Sequence, residues 1–191
     1  MATAPTGDRQ SIYDYLVGTA RCDDENTDAL ARMLATHHSG GGAMPADLGL
    51  GDEQYAQMME HHFPGRQLPP GRTAIPDGWD VRLAEERQEL VKLMMIHRVG
   101  NGVSEKWIST IVASGCMASD HLWHDLGLWS RGDLSALMTR NFPALAAKNN
   151  RDMRWKKFLY KQLCEQEGIY MCRAPSCEQC VDYSVCFSPE E

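Results

Sequence analysis

Apolar residues recur at helical spacing along most of the chain. The clearest stretch runs from Val81 to Arg98, where apolar positions and one histidine fall near one face and charged residues occupy the polar positions. The residues of the apolar face are Leu83, Leu90, Leu93, Met94 and His97, and the charged ones are Glu85, Glu86, Arg87 and Glu89. This pattern predicts an amphipathic helix that stops at Asn101 and Gly102.

The same spacing predicts further helices, and glycines such as Gly40 to Gly42 and Gly168 mark where two of them end. Seven such helices are expected: one that begins at Thr27, one from Asp52 to His62, one from Ser104 to near Gly115, one around His121, one from Asp133 to Arg140, one after Pro143, and one from Asp152 to Glu167. Period-2 alternation is scarce, and the sequence has no glycine-rich phosphate loop between a strand and a helix. We therefore expect an all-α fold in three parts: a partly flexible N-terminal extension over 1–25, a helical domain over 26–168, and a cysteine-rich, metal-bound loop over 169–191.

The charge balance narrows the classes of partner. Nineteen Lys and Arg stand against 26 Asp and Glu, which gives the 191-residue chain a net charge of −7. A chain of this charge is poorly suited to neutralising many phosphates, so we do not expect a nucleic-acid partner. The first residues lack the basic start and apolar stretch of a signal peptide, and no run approaches the roughly 18 apolar residues that span a bilayer. We expect a cytoplasmic protein with no membrane partner.

Seven cysteines are present, and four of them crowd between Cys172 and Cys186 with the spacing C-x4-C-x2-C-x5-C. In a reducing cytoplasm such a group is more typical of a metal site than of disulfides. Soft thiolates at these intervals can surround one tetrahedral metal ion or one iron–sulfur cluster. The spacing alone leaves open a functional iron–sulfur site and a small structural knot, such as a zinc module.

Four segments in the second half of the chain form an ordered set. They are His121-Leu-Trp-His-Asp-Leu-Gly-Leu128, Asn141-Phe-Pro-Ala-Leu-Ala-Ala, Trp155-Lys-Lys-Phe-Leu-Tyr-Lys-Gln-Leu-Cys164 and the cysteine motif itself. Together they resemble the NifQ family. Their ordered combination is far more specific than any one of them.

The NifQ resemblance implies a carrier rather than an enzyme. It implies an iron–sulfur protein, with a cluster of [4Fe–4S] or Mo–Fe–S type, that acquires molybdenum from molybdate or a molybdenum donor. It further implies donation of that molybdenum to biosynthesis of the nitrogenase iron–molybdenum cofactor, on the NifE–NifN scaffold with NifH. The residues that match the family's cluster ligands are Cys172, Cys177, Cys180 and Cys186.

Other residues are accessory candidates for this site. Cys164 precedes the motif by eight residues and can supply a ligand or act as a buried apolar residue. His121, His124 and Asp125 share a helix face, and with Cys116 just upstream they can hold a second ion or serve as surface polar groups. The consecutive pairs His37-His38 and His61-His62 are expected to diverge in a helix, and we assign neither pair to a site.

A basic segment lies beside the cysteine motif. From Lys148 to Lys161 the chain has six basic residues and the single acid Asp152. The segment can attract molybdate, stabilise an anionic cluster or bind an acidic partner, or it can be an ordinary solvated helix face.

Two rival functions remain at this point. One is a nucleic-acid-binding protein with a structural [4Fe–4S] cluster, because DNA-repair glycosylases have a similar C-terminal run ending in C-x2-C-x5-C. The other is a redox protein whose cluster cycles reversibly. The acidic total and the lack of a helix-hairpin-helix glycine loop weigh against the first, and we find no nucleophile and base arrangement to support an enzyme.

Overall fold

The regular structure of the described chain is helical throughout. A computed structural model describes residues 8–18, 23–68, 81–100, 102–166, 168 and 183–187, and within these ranges it has no strand. The helices are α1 (Arg9–Val17), α2 (Thr27–His38), α3 (Asp52–His62), α4 (Val81–Ile96), α5 (Ser104–Cys116), α6 (Leu122–Asp125), α7 (Arg131–Asn141), α8 (Pro143–Ala146), α9 (Trp155–Gln166) and α10 (Tyr183–Phe187). The all-α prediction is confirmed for these residues. The 169–182 stretch of the predicted cysteine-rich loop lies outside them.

Helix α5 lies at the centre of the core. Eleven of its 13 residues are buried, including Trp107, Ile108, Ile111 and Val112. Helix α4 packs against α5 and also against α9, while α1 packs on α2 and α7 on α8. The largest fully buried side chains come from several of these helices and from the residues directly after α3 and α7. They include Leu30, Met33, Leu34, Leu90, Leu93 and Ile108 within helices, and Phe63 and Phe142 just beyond α3 and α7. One continuous apolar cluster therefore joins the first helix to the ninth.

The helix boundaries agree with the predicted ones at α3 and differ by two or three residues at the starts of α7 and α9. Helix α3 has the predicted limits, Asp52 and His62. Helix α7 begins two residues earlier than predicted because the Ser130 side chain caps it, accepting a hydrogen bond of 3.1 Å from the Asp133 N–H. Helix α9 begins at Trp155 rather than Asp152, since Asp152 has a φ of 56° and so cannot continue a right-handed helix.

Helix α1 was not predicted from the sequence. Its Asp8 cap accepts a hydrogen bond of 3.0 Å from the Ser11 N–H, and its Ile12 and Leu16 side chains are buried in the core. Part of the stretch assigned to an N-terminal extension thus packs with the helical body. The boundaries after residues 25 and 168 stay predictions.

A reciprocal amide pair joins distant parts of the chain inside the core. The Asn26 amide donates to Asn141 Oδ1 over 2.9 Å, and the Asn141 amide donates to Asn26 Oδ1 over 2.7 Å. Both residues are buried. Because a buried amide without a partner is costly, this pair fixes the start of α2 against the end of α7.

No helix in the described ranges is both long and apolar enough to cross a membrane.

The end of α2 fits closely against the turn after α6. Thr36 donates a hydrogen bond of 2.6 Å to the Gly127 carbonyl, and His37 Nε2 lies 3.3 Å from the Leu126 carbonyl oxygen. Gly127 has a φ of 75°, and a Cβ there would lie 3.0 Å from Thr36 Cβ. Burial of the His37 ring lowers its pKa from the ordinary value of 6.5 to about 4.

This burial predicts a pH-dependent stability. As pH falls below 6.5, the unfolded chain protonates His37 while the folded chain resists protonation down to about 4, so the free energy of unfolding falls with pH across this window. The contribution of one such histidine is at most about 1.4 kcal/mol per pH unit. Urea unfolding followed by circular dichroism should show a shallower decline for His37→Gln than for the natural chain. Parallel declines in the two proteins would contradict the assignment.

Candidate functional site

The last cysteine of the motif lies against the helical body. Cys186 is in α10, its side chain is half-buried, and its carbonyl accepts a hydrogen bond of 2.8 Å from the Arg154 N–H, immediately before α9. Cys186 and Phe187 pack against the apolar core. One end of the motif therefore has a fixed position at the start of α9. Cys172, Cys177 and Cys180 lie outside the described residues.

The basic segment divides into groups with different surroundings. Lys148, Arg151 and Lys161 line a cavity of about 130 Å³, with Phe187 of α10 forming another part of its wall. Lys157 is exposed and does not line this cavity. Positive charge is thus concentrated beside the short helix that contains Cys186.

Lys156 turns inward instead. Its ammonium group donates to Asp125 Oδ2 and, over 2.8 Å, to the Ala118 carbonyl. The Asp125 carboxylate is almost completely buried, and it also accepts a hydrogen bond of 3.0 Å from the Asp120 N–H. A buried carboxylate requires such compensation, so this pair joins α6 to α9 as a structural contact.

The accessory candidates are dispersed around this ion pair. His124 is exposed, with Nδ1 3.1 Å from Asp120 Oδ2, and the His121 N–H donates to Asp120 Oδ1. Cys116 is buried, and burial raises the pKa of its thiol to about 12, which disfavours the thiolate that a metal needs. Cys164 is half-buried near the end of α9. The ligand roles of these residues stay predictions.

A different group of potential ligands lies near the N-terminal end of α5. Asp24 Oδ2 lies 3.3 Å from His61 Nε2 and 3.8 Å from His62 Nε2. Within the described ranges, this is the one set of three His, Cys, Asp or Glu residues whose ligand atoms all lie within 4.8 Å of one another. Ser104, the first residue of α5, bonds to Asp24 through its hydroxyl.

The sequence did not reveal this group. The two histidines were expected to diverge, yet their ring centroids are 4.8 Å apart and both rings contact Trp107. They are the last two residues of α3. The His62 side chain is buried in the core, and the His61 ring contacts Asp24, the aspartate that also lies near His62. Only the contact with Asp24, 37 residues away from His61, distinguishes this pair from an ordinary helix end.

Comparison with known proteins identifies the family. The family model described as NifQ matches residues 29–188. The chain is 40% identical over 181 residues to Protein NifQ of Azotobacter vinelandii, covering 89% of this chain and 92% of the relative. It is 36% identical to Protein NifQ of Rhodobacter capsulatus over 166 residues, covering 84% and 87%, and 35% identical to Protein NifQ of Klebsiella pneumoniae over 170 residues, covering 84% and 97%.

The chain belongs to the NifQ family. No solved structure matches it. The resemblance noted in the second half of the sequence is therefore confirmed, and it extends through the first half as well, since the NifQ match begins inside α2.

The NifQ match contains the whole cysteine motif and the basic segment. It also contains His61 and His62, whereas Asp24 precedes it. The cysteine tail and the helices that position Cys186 are thus parts of one family unit.

The Asp125–Lys156 ion pair joins α6 to α9, and its contribution to the stability of the fold can be measured. Lys156→Met should lower the free energy of unfolding by about 3–5 kcal/mol, because it leaves a buried carboxylate without its cation. Denaturant unfolding measures this, and adding Asp125→Asn to Lys156→Met should restore part of the loss. Lys157→Met, on the exposed face of the same helix, should change stability by no more than about 0.5 kcal/mol. Equal losses for the two lysine variants would contradict the structural role of the pair.

Proposed function

We propose that this NifQ-family protein carries an iron–sulfur cluster of the Mo–Fe–S type and donates its molybdenum to biosynthesis of the nitrogenase iron–molybdenum cofactor. The ligands are Cys172, Cys177, Cys180 and Cys186. The observation that carries the proposal is the spacing C-x4-C-x2-C-x5-C in a chain that belongs to this family. Molybdenum is the cargo, so the protein is a carrier and not an enzyme.

The donor set suits an iron–sulfur cluster. Four thiolates within 15 residues can approach one cluster from several directions, and thiolate sulfur is the ligand that iron–sulfur clusters prefer. Cys186 is half-buried and not sealed in the core. A ligand at the surface of the body favours exchange of metal with a partner over permanent storage.

The two described points on either side of the motif lie at opposite ends of α9. This helix ends at Gln166, and the Cys186 carbonyl accepts its hydrogen bond from the Arg154 N–H, just before Trp155. A helix of 12 residues is about 18 Å long, a distance that the intervening residues are numerous enough to span. Cys186 thus gives the motif one attachment point on a rigid element.

The basic cavity supplies complementary charge. A cluster held by four thiolates is anionic, and Lys148, Arg151 and Lys161 lie around a cavity whose wall includes Phe187, the neighbour of Cys186. Cations at this place stabilise the loaded tail electrostatically, and they also attract an acidic partner or molybdate. The partners in this proposal are a molybdenum donor or molybdate, the NifE–NifN scaffold, and NifH.

Removal of motif thiols provides the direct test. In Cys177→Ala/Cys180→Ala, iron, sulfide and molybdenum should all be lost from anaerobically purified protein, while the helical circular dichroism stays close to that of the natural chain. The reason is that the helical body has its own apolar core. Elemental analysis and electron paramagnetic resonance measure the metal content and the cluster.

Cys116→Ala is the matched control, since it removes a buried thiol outside the motif and should keep the cluster. Stoichiometric zinc without iron in the natural chain would reduce the tail to a structural module. Reversible one-electron cycling without transfer of molybdenum would favour a redox protein, and salt-sensitive duplex binding would favour the nucleic-acid alternative.

Neutralising the basic cavity should destabilise the loaded tail. Lys148→Gln/Lys161→Gln should lose iron to a chelator faster than the natural protein, because two cations near the anionic cluster are removed. Lys157→Gln, which removes an exposed lysine outside the cavity, should leave the rate unchanged. Raising the ionic strength should narrow the difference between the natural and double-variant proteins. Equal rates in all three proteins at low salt would contradict a role for the cavity.

A further inference from the structure

The side chains of Asp24, His61 and His62 lie close together, and the proposed cluster in the cysteine tail gives none of them a role. We propose that these three residues form a second metal site, which binds a divalent first-row transition-metal ion such as Zn²⁺ or Fe²⁺. The site is built from the segment before α2, the end of α3 and a supporting residue at the start of α5. It is independent of the proposed cluster, because none of its ligands is a cysteine.

The donor atoms match this class of ion. Two imidazole nitrogens and one carboxylate oxygen bind zinc and ferrous iron in many proteins. Ligands placed tetrahedrally at about 2.0–2.1 Å from zinc are about 3.4 Å apart. The observed separations of Asp24 Oδ2 from His61 Nε2 and His62 Nε2, 3.3 Å and 3.8 Å, are close to that spacing. Three protein ligands leave a further position for water or another small ligand.

Neighbouring groups orient each ligand. Asp24 Oδ1 accepts a hydrogen bond of 2.9 Å from the Asn26 N–H, which directs Oδ2 toward the histidines. Thr27 Oγ1 lies 2.8 Å from His62 Nδ1 and fixes that ring. Outer hydrogen bonds of this kind are a regular feature of histidine metal sites, because they set the tautomer and the ring orientation.

The hydroxyl groups allow His62 to change tautomer when the ion binds. Ser104 Oγ lies 2.9 Å from His62 Nε2 and donates to Asp24, so without metal this nitrogen carries the proton. In the metal-bound form the proton moves to Nδ1 and is donated to Thr27 Oγ1, and Nε2 presents its lone pair to the ion. The imidazole is neutral in both forms, so His62 releases no proton.

The burial pattern gives the site an inner wall and an open side. The His62 side chain is completely buried, while the side chains of Asp24 and His61 are 22% and 39% exposed. The Trp107 ring lies 5.5 Å from the His61 ring and 5.8 Å from the His62 ring, measured between centroids. A hydrated ion can therefore reach the ligands from the side of Asp24 and His61. Once bound, the ion connects the segment before α2 to the end of α3 and stabilises the folded state by linkage.

The test uses the full chain with Cys172, Cys177, Cys180 and Cys186 changed to Ser, so that the tail thiolates do not compete. Co²⁺ is the spectroscopic probe, and Zn²⁺ is measured by calorimetry and by its effect on the melting temperature. We expect one equivalent to bind, with cobalt d–d absorption but no thiolate-to-cobalt charge-transfer band. Zn²⁺ should raise the melting temperature.

Single substitutions locate the site. His61→Ala and Asp24→Asn should each weaken binding by more than about tenfold, and Thr27→Val should weaken it by about 10–100-fold through loss of the outer hydrogen bond. His97→Ala, which removes a histidine outside the cluster, should have no effect on affinity. The chain with its cysteines intact should also bind this equivalent, in addition to any Co²⁺ that the tail thiolates hold. The additional equivalent should contribute no thiolate-to-cobalt charge-transfer band. Absence of this equivalent from both chains, or its persistence in His61→Ala/Asp24→Asn, would overturn the proposal.

Discussion

The nearly complete burial of α5 is the constraint on which the rest of the fold depends. A helix with 11 of 13 residues buried must be covered on almost every side, and α3, α4 and α6 all pack against it. Its buried glycine shows how close this packing is, because a Cβ on Gly115 would lie 2.7 Å from a Leu126 methyl group. The surrounding helices therefore have little freedom to shift, and they position the polar groups at both ends of α5.

Those two ends have different chemistry. At the N-terminal end, Ser104 joins a network of aspartate, histidine and threonine with a solvent-accessible side. Near the C-terminal end, the Asp125–Lys156 pair is enclosed by α6 and α9, and it neutralises a carboxylate that the sequence had suggested as a ligand. The same core thus supports one arrangement suited to a cation and one in which the protein supplies its own cation. Helix α9 also connects the core to the tail, through the Arg154 N–H and the Cys186 carbonyl.

Much of the helical fold was predictable from sequence, because apolar periodicity and capping residues are local signals. The limits of α3 were predicted correctly although no side-chain hydrogen bond caps its start, because the prolines and glycines that begin at Pro64 interrupt a helix. The start of α9 was predicted three residues too early, since the left-handed backbone of Asp152 leaves no local sequence signal; Arg131, 21 residues earlier, contacts both the carboxylate and the carbonyl of Asp152. The convergence of His61 and His62 is non-local in the same way. The cysteine motif was visible in sequence because its ligands are close together in the chain, whereas the basic cavity requires knowing which lysines face Phe187.

In the proposed carrier, the four cysteines hold molybdenum within an iron–sulfur cluster. X-ray absorption at the molybdenum edge, on anaerobically purified protein with the natural sequence, measures which atoms surround the metal. Sulfur atoms are expected as the nearest neighbours of molybdenum, and iron atoms in the next shell. Molybdenum surrounded by oxygen alone would mean that the chain binds molybdate without incorporating it, and this result would rule out the proposed carrier.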